Sequence, residues 1–217
     1  MNKGNIPVLN VEGATIPHAW ENAVKAVWEK GIDIKTEYDK PEDPPSKDAT
    51  VIITVEDPFA EPRIHRYLPC GLDFIEIYIN EVVNGVHDHY INPAEGKWEY
   101  TYAERIFEYS VPTKSNINQI DEIVNILKNC SHSRRAQFVT WKVWEDLGIE
   151  VKDPACLQRG LFRIINNKLN ANFHMRSNDG LKAALLNMIA FTELQKIMKS
   201  EKKYDIIENR YYKKGKG

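Results

Sequence analysis

Apolar residues recur at three- and four-residue steps along several stretches of the chain, which is the spacing of one face of an α-helix. The first stretch is 16–30, and Gly31 after it provides a helix stop. The further stretches of this kind are 72–84, 116–129 and the very apolar 181–198. Asn116 is a suitable N-cap for the third, because its side chain can accept from free backbone N–H groups. The pattern therefore predicts four helices.

Shorter runs of β-branched and aromatic residues, some alternating with polar ones, predict strands. These runs are 8–11, 50–55, 136–141, 161–165 and 169–175. The run 50–55 is β-branched throughout, which favours a buried strand, and Asn166-Asn167 favours a tight hairpin turn between the last two strands. Three prolines in 38–49 predict an exposed loop there, since proline removes backbone donors.

The predicted strands and helices alternate irregularly, without a steady βαβ rhythm. A chain of 217 residues is long enough for one domain with a sizeable core. We therefore expect an α+β fold, a single domain over residues 1–217 with a mixed β-sheet flanked by helices. The charged end, 199–217, is expected to fray.

Composition narrows the class of protein. Apolar residues make up 42% and charged residues 28%, which is ordinary for a globular protein, and a net charge of −2 argues against a nucleic-acid partner. The sequence has no apolar run of about 18 residues and no signal-peptide core, so we expect no membrane partner. Three widely spaced cysteines favour reduced thiols in the cytoplasm. His87-x-His89 supplies too few ligands for a metal site, so no metal is expected.

Cys156 is the first candidate for chemistry. A lone cysteine is more often a buried structural residue, and that interpretation stays open on the local sequence alone. Its neighbours favour a functional role: Pro154 restricts the preceding backbone, and Arg159 lies three residues further on. A nearby guanidinium lowers the pKa of a thiol, so Arg159 is expected to favour the thiolate.

Three further groups of polar residues are candidates for ligand binding. Arg176-Ser177-Asn178-Asp179 lies at a strand-to-helix corner, where it could hold a phosphate or only cap the helix. Asn187 interrupts an apolar helix, and its amide could face a base edge or be satisfied by backbone groups. The adjacent cations of Ser133-Arg134-Arg135 are either solvated or share an anion.

These groups occur in one order and at a compact spacing that resembles the thymidylate synthase family. The family pattern runs S-R-R, P-C, R-S-x-D and then N eight residues after the Asp. The matching residues here are Ser133-Arg134-Arg135, Pro154-x-Cys156, Arg176-Ser177-x-Asp179 and Asn187. In the first half, the segments 56–66 and 98–105 resemble the shorter, archaeal-type branch of the family.

The resemblance implies a methyltransferase of dTMP biosynthesis. Cys156 would add as thiolate to C6 of dUMP, which makes C5 a carbon nucleophile. C5 would take the one-carbon unit of 5,10-methylenetetrahydrofolate, the co-substrate. Reduction by hydride from the folate would then give dTMP and dihydrofolate.

The resemblance also implies roles for the residues that surround the reacting ring. Arg176 and Ser177 would contact the nucleotide phosphate, and Arg176 would help to hold the Cys156 thiolate. Arg134 and Arg135 would reach the phosphate in the neighbouring subunit of a homodimer.

The base and the folate would be held by other residues. Asn187 would bond to the O4 and N3–H edge of uracil, Asp179 would orient the pterin, and Tyr102 would help to order catalytic water. The general-acid glutamate is either Glu76 or Glu81, which the sequence does not separate.

The sequence departs from the family after the long helix, where a His-x-Tyr segment usually contacts the ribose hydroxyl. No His follows His174 in this chain, although Tyr211 and Tyr212 are present. Two alternatives therefore stay open. One is a folate-dependent pyrimidine-nucleotide hydroxymethylase, acting on a cytosine or uracil nucleotide. The other is a non-catalytic nucleotide-binding homologue.

Overall fold

A computed structural model of the protein describes residues 4–37, 39–68 and 70–200. Tyr211 and Tyr212, the tyrosines that follow the long helix, lie outside this part, as does most of the end that is predicted to fray. The chain forms two compact units: residues 4–71 with Asp179–Ile189, and Leu72–Asn178 with residues 190–200. Helices and small sheets are mixed in the described part of the chain, so the predicted α+β class is confirmed.

In the residues that the structure describes, the first unit contains four strands and one complete helix. In chain order these are β1 (Val8–Gly13), α1 (Ile16–Lys30), β2 (Ile32–Ile34), β3 (Ser46–Asp48) and β4 (Thr50–Val55). The strands β1 and β4 pair in parallel, and β2 pairs with β3 in antiparallel orientation. Helix α1 packs on β1 and β4 and buries an apolar stripe that includes Ala19 and Trp20.

The predicted helix 16–30 and the strand 8–11 are confirmed in this unit, and the N–H of Gly31 closes the helix on Val27 O. Two expectations are wrong. The loop 38–49 contains the short strand β3, since the chain regains its backbone donors after the last proline. The strand at 50–55 is largely exposed, with Ile52 at 57%, because helix packing on a two-stranded sheet leaves the other face uncovered.

The second unit contains the larger core. Its elements are α2 (Leu72–Asn84), two 3-10 turns (Asp88–Tyr90 and Pro93–Glu95), α3 (Tyr102–Phe107), α4 (Gln119–Asn129), β5 (Gln137–Val139), α5 (Val143–Asp146), β6 (Leu157–Ile165), β7 (Lys168–Met175) and the later part of α6 (Ala184–Ser200). The strands form an antiparallel sheet in the order β5-β6-β7. Phe138, Phe162 and Leu194 are fully buried in a core formed by this sheet and helices α2, α3, α4 and α6.

The hairpin between β6 and β7 has the predicted turn, since Asn166 and Asn167 both adopt positive φ, at 49° and 62°. Gly160 in β6 faces Phe138 of β5 across the sheet. A Cβ added at Gly160 would lie 2.4 Å from the Phe138 ring, so the glycine makes room for this buried aromatic side chain.

Several predicted boundaries in this unit move by a few residues. The helix predicted at 116–129 begins at Gln119, and its N-cap is Asn118 instead of Asn116. Ile117 exchanges backbone hydrogen bonds with Tyr109, which keeps residues before Asn118 out of the helix. The predicted strand 136–141 is shorter, and β6 extends back to Leu157, so that Cys156 directly precedes a strand.

The helix predicted at 181–198 runs from Ala184 to Ser200. Two backbone N–H groups, those of Ala183 and Ala184, bond to Asp179 O in the turn that precedes it, which delays the first helical residue. Among the helices of the described residues, none is both long and apolar enough to cross a membrane.

Candidate active site

Cys156 is half-buried at the start of β6, between the loop that ends at Ala155 and the first strand residue, Leu157. Its carbonyl oxygen accepts from the backbone N–H of Arg176 at 2.9 Å, where β7 ends beside it. The hairpin of β6 and β7 therefore brings Cys156 and Arg176 together, although they are far apart in sequence. All three cysteines are free thiols.

The Arg176 guanidinium is held by the backbone that precedes the cysteine. Its Nε donates to Ala155 O at 3.2 Å and its Nη2 donates to Pro154 O at 2.7 Å. A guanidinium that is fixed by two carbonyl groups cannot swing freely into solvent. The result is a positioned positive charge beside Cys156.

Three tyrosines, here called the tyrosine cluster, surround Cys156: Tyr78 of α2, Tyr100 before α3 and Tyr102 at its first position. The Tyr100 hydroxyl accepts from the N–H of Cys156 and the Tyr102 hydroxyl accepts from the N–H of Leu157, both at 3.3 Å. Burial raises the pKa of all three phenols above the usual range, so they are neutral hydroxyls at physiological pH.

Burial also raises the pKa of the Cys156 thiol; Arg176 lowers this pKa and Asp153 raises it further. Arg176 is therefore the cation that acts on the thiol. The expectation that Arg159 favours the thiolate is wrong, because Arg159 is not among the charges that act on the thiol. The β-strand that begins at Leu157 leads away from the cysteine, so Arg159, three positions after Cys156, lies too far along the strand to act on the thiol.

The two candidate glutamates of α2 have different surroundings. Glu81 is partly buried, its Oε2 lies 2.8 Å from His87 Nδ1, and its charge acts on the Tyr78 phenol of the tyrosine cluster. Glu76 is exposed, and only its backbone carbonyl takes part in a described hydrogen bond, with Asn80. The surroundings favour Glu81 over Glu76 as a proton donor near Cys156.

All four predicted phosphate ligands, Arg134, Arg135, Arg176 and Ser177, are exposed. Ser177 follows Arg176 directly in the chain. Arg134 and Arg135 precede β5 and line a cavity of about 450 Å³ together with residues of α4, and Cys156 is not among the residues that line it. Among the described contacts of one chain, Arg176 reaches the cysteine loop, whereas no contact joins Ser177 or the arginine pair to it.

Asp179, the predicted pterin contact, belongs to the first unit. Its Oδ1 accepts from the backbone N–H groups of Leu181 and Lys182, at 3.0 and 2.9 Å. The carboxylate therefore serves as a cap for the turn that leads into α6, and this contact fixes its orientation. The side chain remains exposed.

Asn187, the predicted base contact, is also part of the first unit and is only 3% exposed. Its backbone N–H bonds to Ala183 O within the first turn of α6. A carboxamide buried this deeply must have its donors and acceptors satisfied, which restricts its orientation.

A buried group of charges lies close to the cysteine loop and was not anticipated from the sequence. We call it the Arg105 cluster; its members are Glu104, Arg105, Lys142, Glu145 and Asp146. The side chains of Arg105 and Lys142 are each 2% exposed, and three carboxylates surround these two cations. The signal that was available in the sequence is the pair of acidic residues, Glu145 and Asp146, spaced three and four after Lys142.

Tyr78 and Tyr100 are also functional candidates that the sequence did not single out. Tyr100 lies inside the 98–105 segment that carries the resemblance, two residues before Tyr102. Within a helix, side chains two residues apart point in different directions. Because Tyr100 precedes the helix, its ring meets that of Tyr102, with ring centroids 5.6 Å apart. In the described residues, no group of three or more His, Cys, Asp or Glu side chains is arranged around a metal position.

Comparison with known proteins agrees with this arrangement. The family model described as thymidylate synthase matches residues 4–211, nearly the whole chain. The chain belongs to the thymidylate synthase family. Members of this family are C5-methyltransferases of nucleotide biosynthesis and use methylenetetrahydrofolate as co-substrate.

Archaeal proteins named "Putative thymidylate synthase" are similar to this chain over most of their length. The protein of Methanocaldococcus jannaschii is 28% identical over 190 residues, which cover 86% of this chain and 80% of that protein. The protein of Methanopyrus kandleri is 29% identical over 189 residues, covering 86% and 81%. That of Methanosarcina mazei is 23% identical over 192 residues, covering 85% and 77%.

Proposed function

We propose that this protein is a thymidylate synthase that methylates C5 of dUMP through a covalent Cys156 adduct and forms dTMP and dihydrofolate. The observation that carries the proposal is the position of Cys156 beside a fixed Arg176 and three tyrosine hydroxyls, in a chain that matches the family over residues 4–211. A structural cysteine would need no positioned guanidinium beside it.

Cys156 acts as the nucleophile. Its thiolate adds to C6 of the uracil ring and pushes electron density onto C5, which can then form the new carbon–carbon bond. The raised pKa of Cys156 means that the thiol is mostly protonated before this step. Arg176 supports the step because it stabilises the thiolate as the sulfur–carbon bond begins to form.

The nucleotide is held by its phosphate and its base. Arg176 and Ser177 contribute to the phosphate site in their own chain, and Arg134 and Arg135 contribute from the partner chain of a homodimer. Asn187 reads uracil, because its NH₂ group donates to O4 and its C=O group accepts from N3–H.

Methylenetetrahydrofolate supplies the one-carbon unit and the hydride that reduces it. Asp179 fits as a contact for the pterin, since its carboxylate is exposed and held in one orientation by Leu181 and Lys182 N–H. Tyr102 orders the water that removes the C5 proton. Its raised pKa makes it a neutral hydroxyl, which suits ordering of water better than direct proton removal.

A cytoplasmic location is part of the proposal. It is supported by the free thiols of Cys70, Cys130 and Cys156, which suit a reducing compartment.

The test is release of tritium from C5-tritiated dUMP in the presence of methylenetetrahydrofolate, together with identification of the nucleotide product. Wild type should release tritium and form dTMP. The Cys156→Ala variant should release none while binding dUMP within about tenfold of wild type, because binding depends mainly on phosphate and base contacts.

Cys70→Ala is the matched control, since it removes a free thiol that has no role in the proposed site. It should keep wild-type turnover. Formation of a hydroxymethylated nucleotide would identify the hydroxymethylase alternative. Absence of C5 exchange by wild type with both tritiated dUMP and tritiated dCMP would rule out both enzymatic functions and leave a nucleotide-binding role.

A further inference from the structure

We propose that Arg105 and Asp146 are positioning residues for Cys156. From the protein interior they hold the backbone beside the cysteine in place, and this backbone in turn holds the Arg176 guanidinium. This inference rests on the proposed function insofar as Cys156 is the nucleophile. The observation behind it is a chain of contacts that runs from the Arg105 cluster to Ala155 and to the N–H group of Cys156.

The first link is the pair of Arg105 and Asp146. Nη1 of Arg105 lies 2.9 Å from Asp146 Oδ2 and Nη2 lies 3.2 Å from Oδ1, so the contact is bidentate. The two side chains are only 2% and 3% exposed. Arg105 Nη1 also donates to Thr140 O at 3.1 Å, which ties the pair to the backbone after β5. Such a fork contact fixes the plane of the carboxylate.

The second link joins Asp146 to the cysteine loop. Asp146 Oδ1 accepts from Ala155 N–H at 3.4 Å, and Oδ2 accepts from Lys142 N–H at 2.7 Å. The carbonyl group of the same Ala155 accepts from Arg176 Nε. Ala155 is therefore held on one side by a buried carboxylate and on the other by the cation that acts on the Cys156 thiol.

A third link reaches Cys156 by a separate route. The Arg105 guanidinium carbon lies 5.5 Å from the centroid of the Tyr100 ring, and the Tyr100 hydroxyl accepts from Cys156 N–H. The buried Arg105 guanidinium thus contacts both Asp146, which bonds to Ala155, and Tyr100, which bonds to Cys156. Stacking against a cation restrains the ring that carries this hydroxyl.

The remaining members of the cluster balance its charge and do not touch the cysteine loop in the contacts described. Lys142 Nζ contacts Glu104 Oε1 at 2.7 Å and Glu145 Oε2 at 3.3 Å. Glu145 also lies 3.1 Å from Arg105 Nη2, and its side chain is 41% exposed. Glu145 therefore provides a control within the same cluster.

The groups whose charge or dipole faces the Cys156 thiol come from all the elements around it. They are Asp153 in the preceding loop, Arg176 after β7, Tyr78 of α2, and Tyr100 and Tyr102 beside and in α3. Burial is the largest effect on the pKa of Cys156; of the charges, Arg176 favours the thiolate and Asp153 opposes it, since the tyrosines stay neutral. Displacement of Ala155 would loosen Arg176 and weaken its effect on the thiol.

The first test uses Asp146→Asn. The carboxylate now accepts hydrogen bonds from four donors. In either orientation the amide places its NH₂ group against two of these donors, so two hydrogen bonds of Asp146 are lost. Alkylation of Cys156 by iodoacetamide is followed on its peptide by mass spectrometry across pH. We expect the profile to move to higher pH, with alkylation at neutral pH reduced roughly tenfold by a smaller thiolate fraction.

The direction of this shift separates positioning from simple electrostatics. Loss of a negative charge near the thiol would by itself move the profile to lower pH. Arg105→Lys provides the second variant: it keeps the charge but loses the bidentate contact, and it should also move the profile to higher pH. Glu145→Gln should leave the profile in place.

Turnover and nucleotide binding complete the experiment. Both positioning variants should lower kcat for C5 tritium release. The Kd for dUMP should rise less than it does in Arg176→Gln, since the variants loosen Arg176, a proposed phosphate ligand, without removing its charge. A profile that is unmoved or moves to lower pH in folded Arg105→Lys and Asp146→Asn proteins would overturn the inference. Failure of wild type to release tritium would instead overturn the proposed function, because alkylation does not depend on it.

Discussion

At the scale of single residues, the Cys156 thiol is subject to opposing effects from its neighbours. Burial and Asp153 favour the neutral thiol, whereas Arg176 favours the thiolate, and burial is the largest of these effects. A buried thiol with a positioned guanidinium is protected from indiscriminate oxidation, yet can ionise when bond formation to an electrophile begins. The thiol therefore stays mostly protonated until a suitable electrophile is close to the sulfur atom.

Two charge-removing substitutions should move the reactivity of Cys156 in opposite directions. Asp153→Asn removes the carboxylate that raises the thiol pKa, so the alkylation profile should move to lower pH. Arg176→Gln removes the cation that lowers this pKa, so the profile should move to higher pH. Iodoacetamide alkylation of the Cys156 peptide measures both, and shifts in the same direction would show that conformation outweighs charge.

Asn187 should determine the preference for uracil over cytosine nucleotides. Asn187→Asp replaces the NH₂ group that faces uracil O4 with an acceptor, which suits the amino group of cytosine. A hydrogen bond lost in a dry site costs about 1–3 kcal/mol, so the ratio of kcat/KM for dUMP and dCMP should change at least roughly tenfold. Asn187→Ala is the control, and it should weaken use of dUMP without improving use of dCMP. An unchanged ratio in the Asp variant would remove Asn187 from base recognition.

At the scale of secondary-structure elements, the sequence predicted what depends on local periodicity. Helices α1 and α2 have the bounds expected from their apolar spacing, 16–30 and 72–84. The start of α4 was missed because the backbone bridge between Tyr109 and Ile117 leaves no mark in the apolar spacing of the sequence. The exposure of β4 was missed because β-branched residues suit any strand, whether or not another layer covers it.

The corrected N-cap of α4 can be tested directly. The Asn118 side chain accepts from the N–H groups of Ile120 and Asp121, at 3.1 and 3.2 Å. Asn118→Ala should therefore lower the free energy of unfolding by about 1 kcal/mol, measured by urea denaturation. Asn116→Ala, at the cap expected from the sequence alone, is the matched control and should change it by a few tenths at most. A larger loss in the Asn116 variant would contradict the observed helix start.

In the candidate site too, the residues that belong to sequence motifs were predicted, and those that depend on contacts in the fold were missed. Cys156, Tyr102 and Arg176 were all named from motifs, and the fold brings these three together. Tyr100, Arg105 and Asp146 were not named, since each looks like an ordinary surface residue until the fold buries it. Arg105 meets Asp146 across 41 positions of sequence, and Tyr100 meets Cys156 across 56 positions, which no local pattern reveals.

At the scale of the whole molecule, the position of Arg134 and Arg135 bears on assembly. Both arginines are exposed and line a cavity beside α4, away from the residues that contact Cys156 in the same unit. Adjacent exposed cations gain most when they share an anion. In a two-fold dimer, each subunit presents the same patch to the other, so the pair can complete the phosphate site of the partner.

Mixing two inactive variants tests this arrangement. Cys156→Ala and the double variant Arg134→Ala/Arg135→Ala are unfolded and refolded together in equal amounts. Half of the randomly formed dimers are mixed; in each of these, one site carries both defects and the other carries none. If the arginines act across the interface, about a quarter of all sites regain C5 tritium release. Each variant refolded alone provides the baseline. A mixture that stays inactive would place the arginines in the site of their own chain, and substantial activity of the double variant alone would exclude them from phosphate binding.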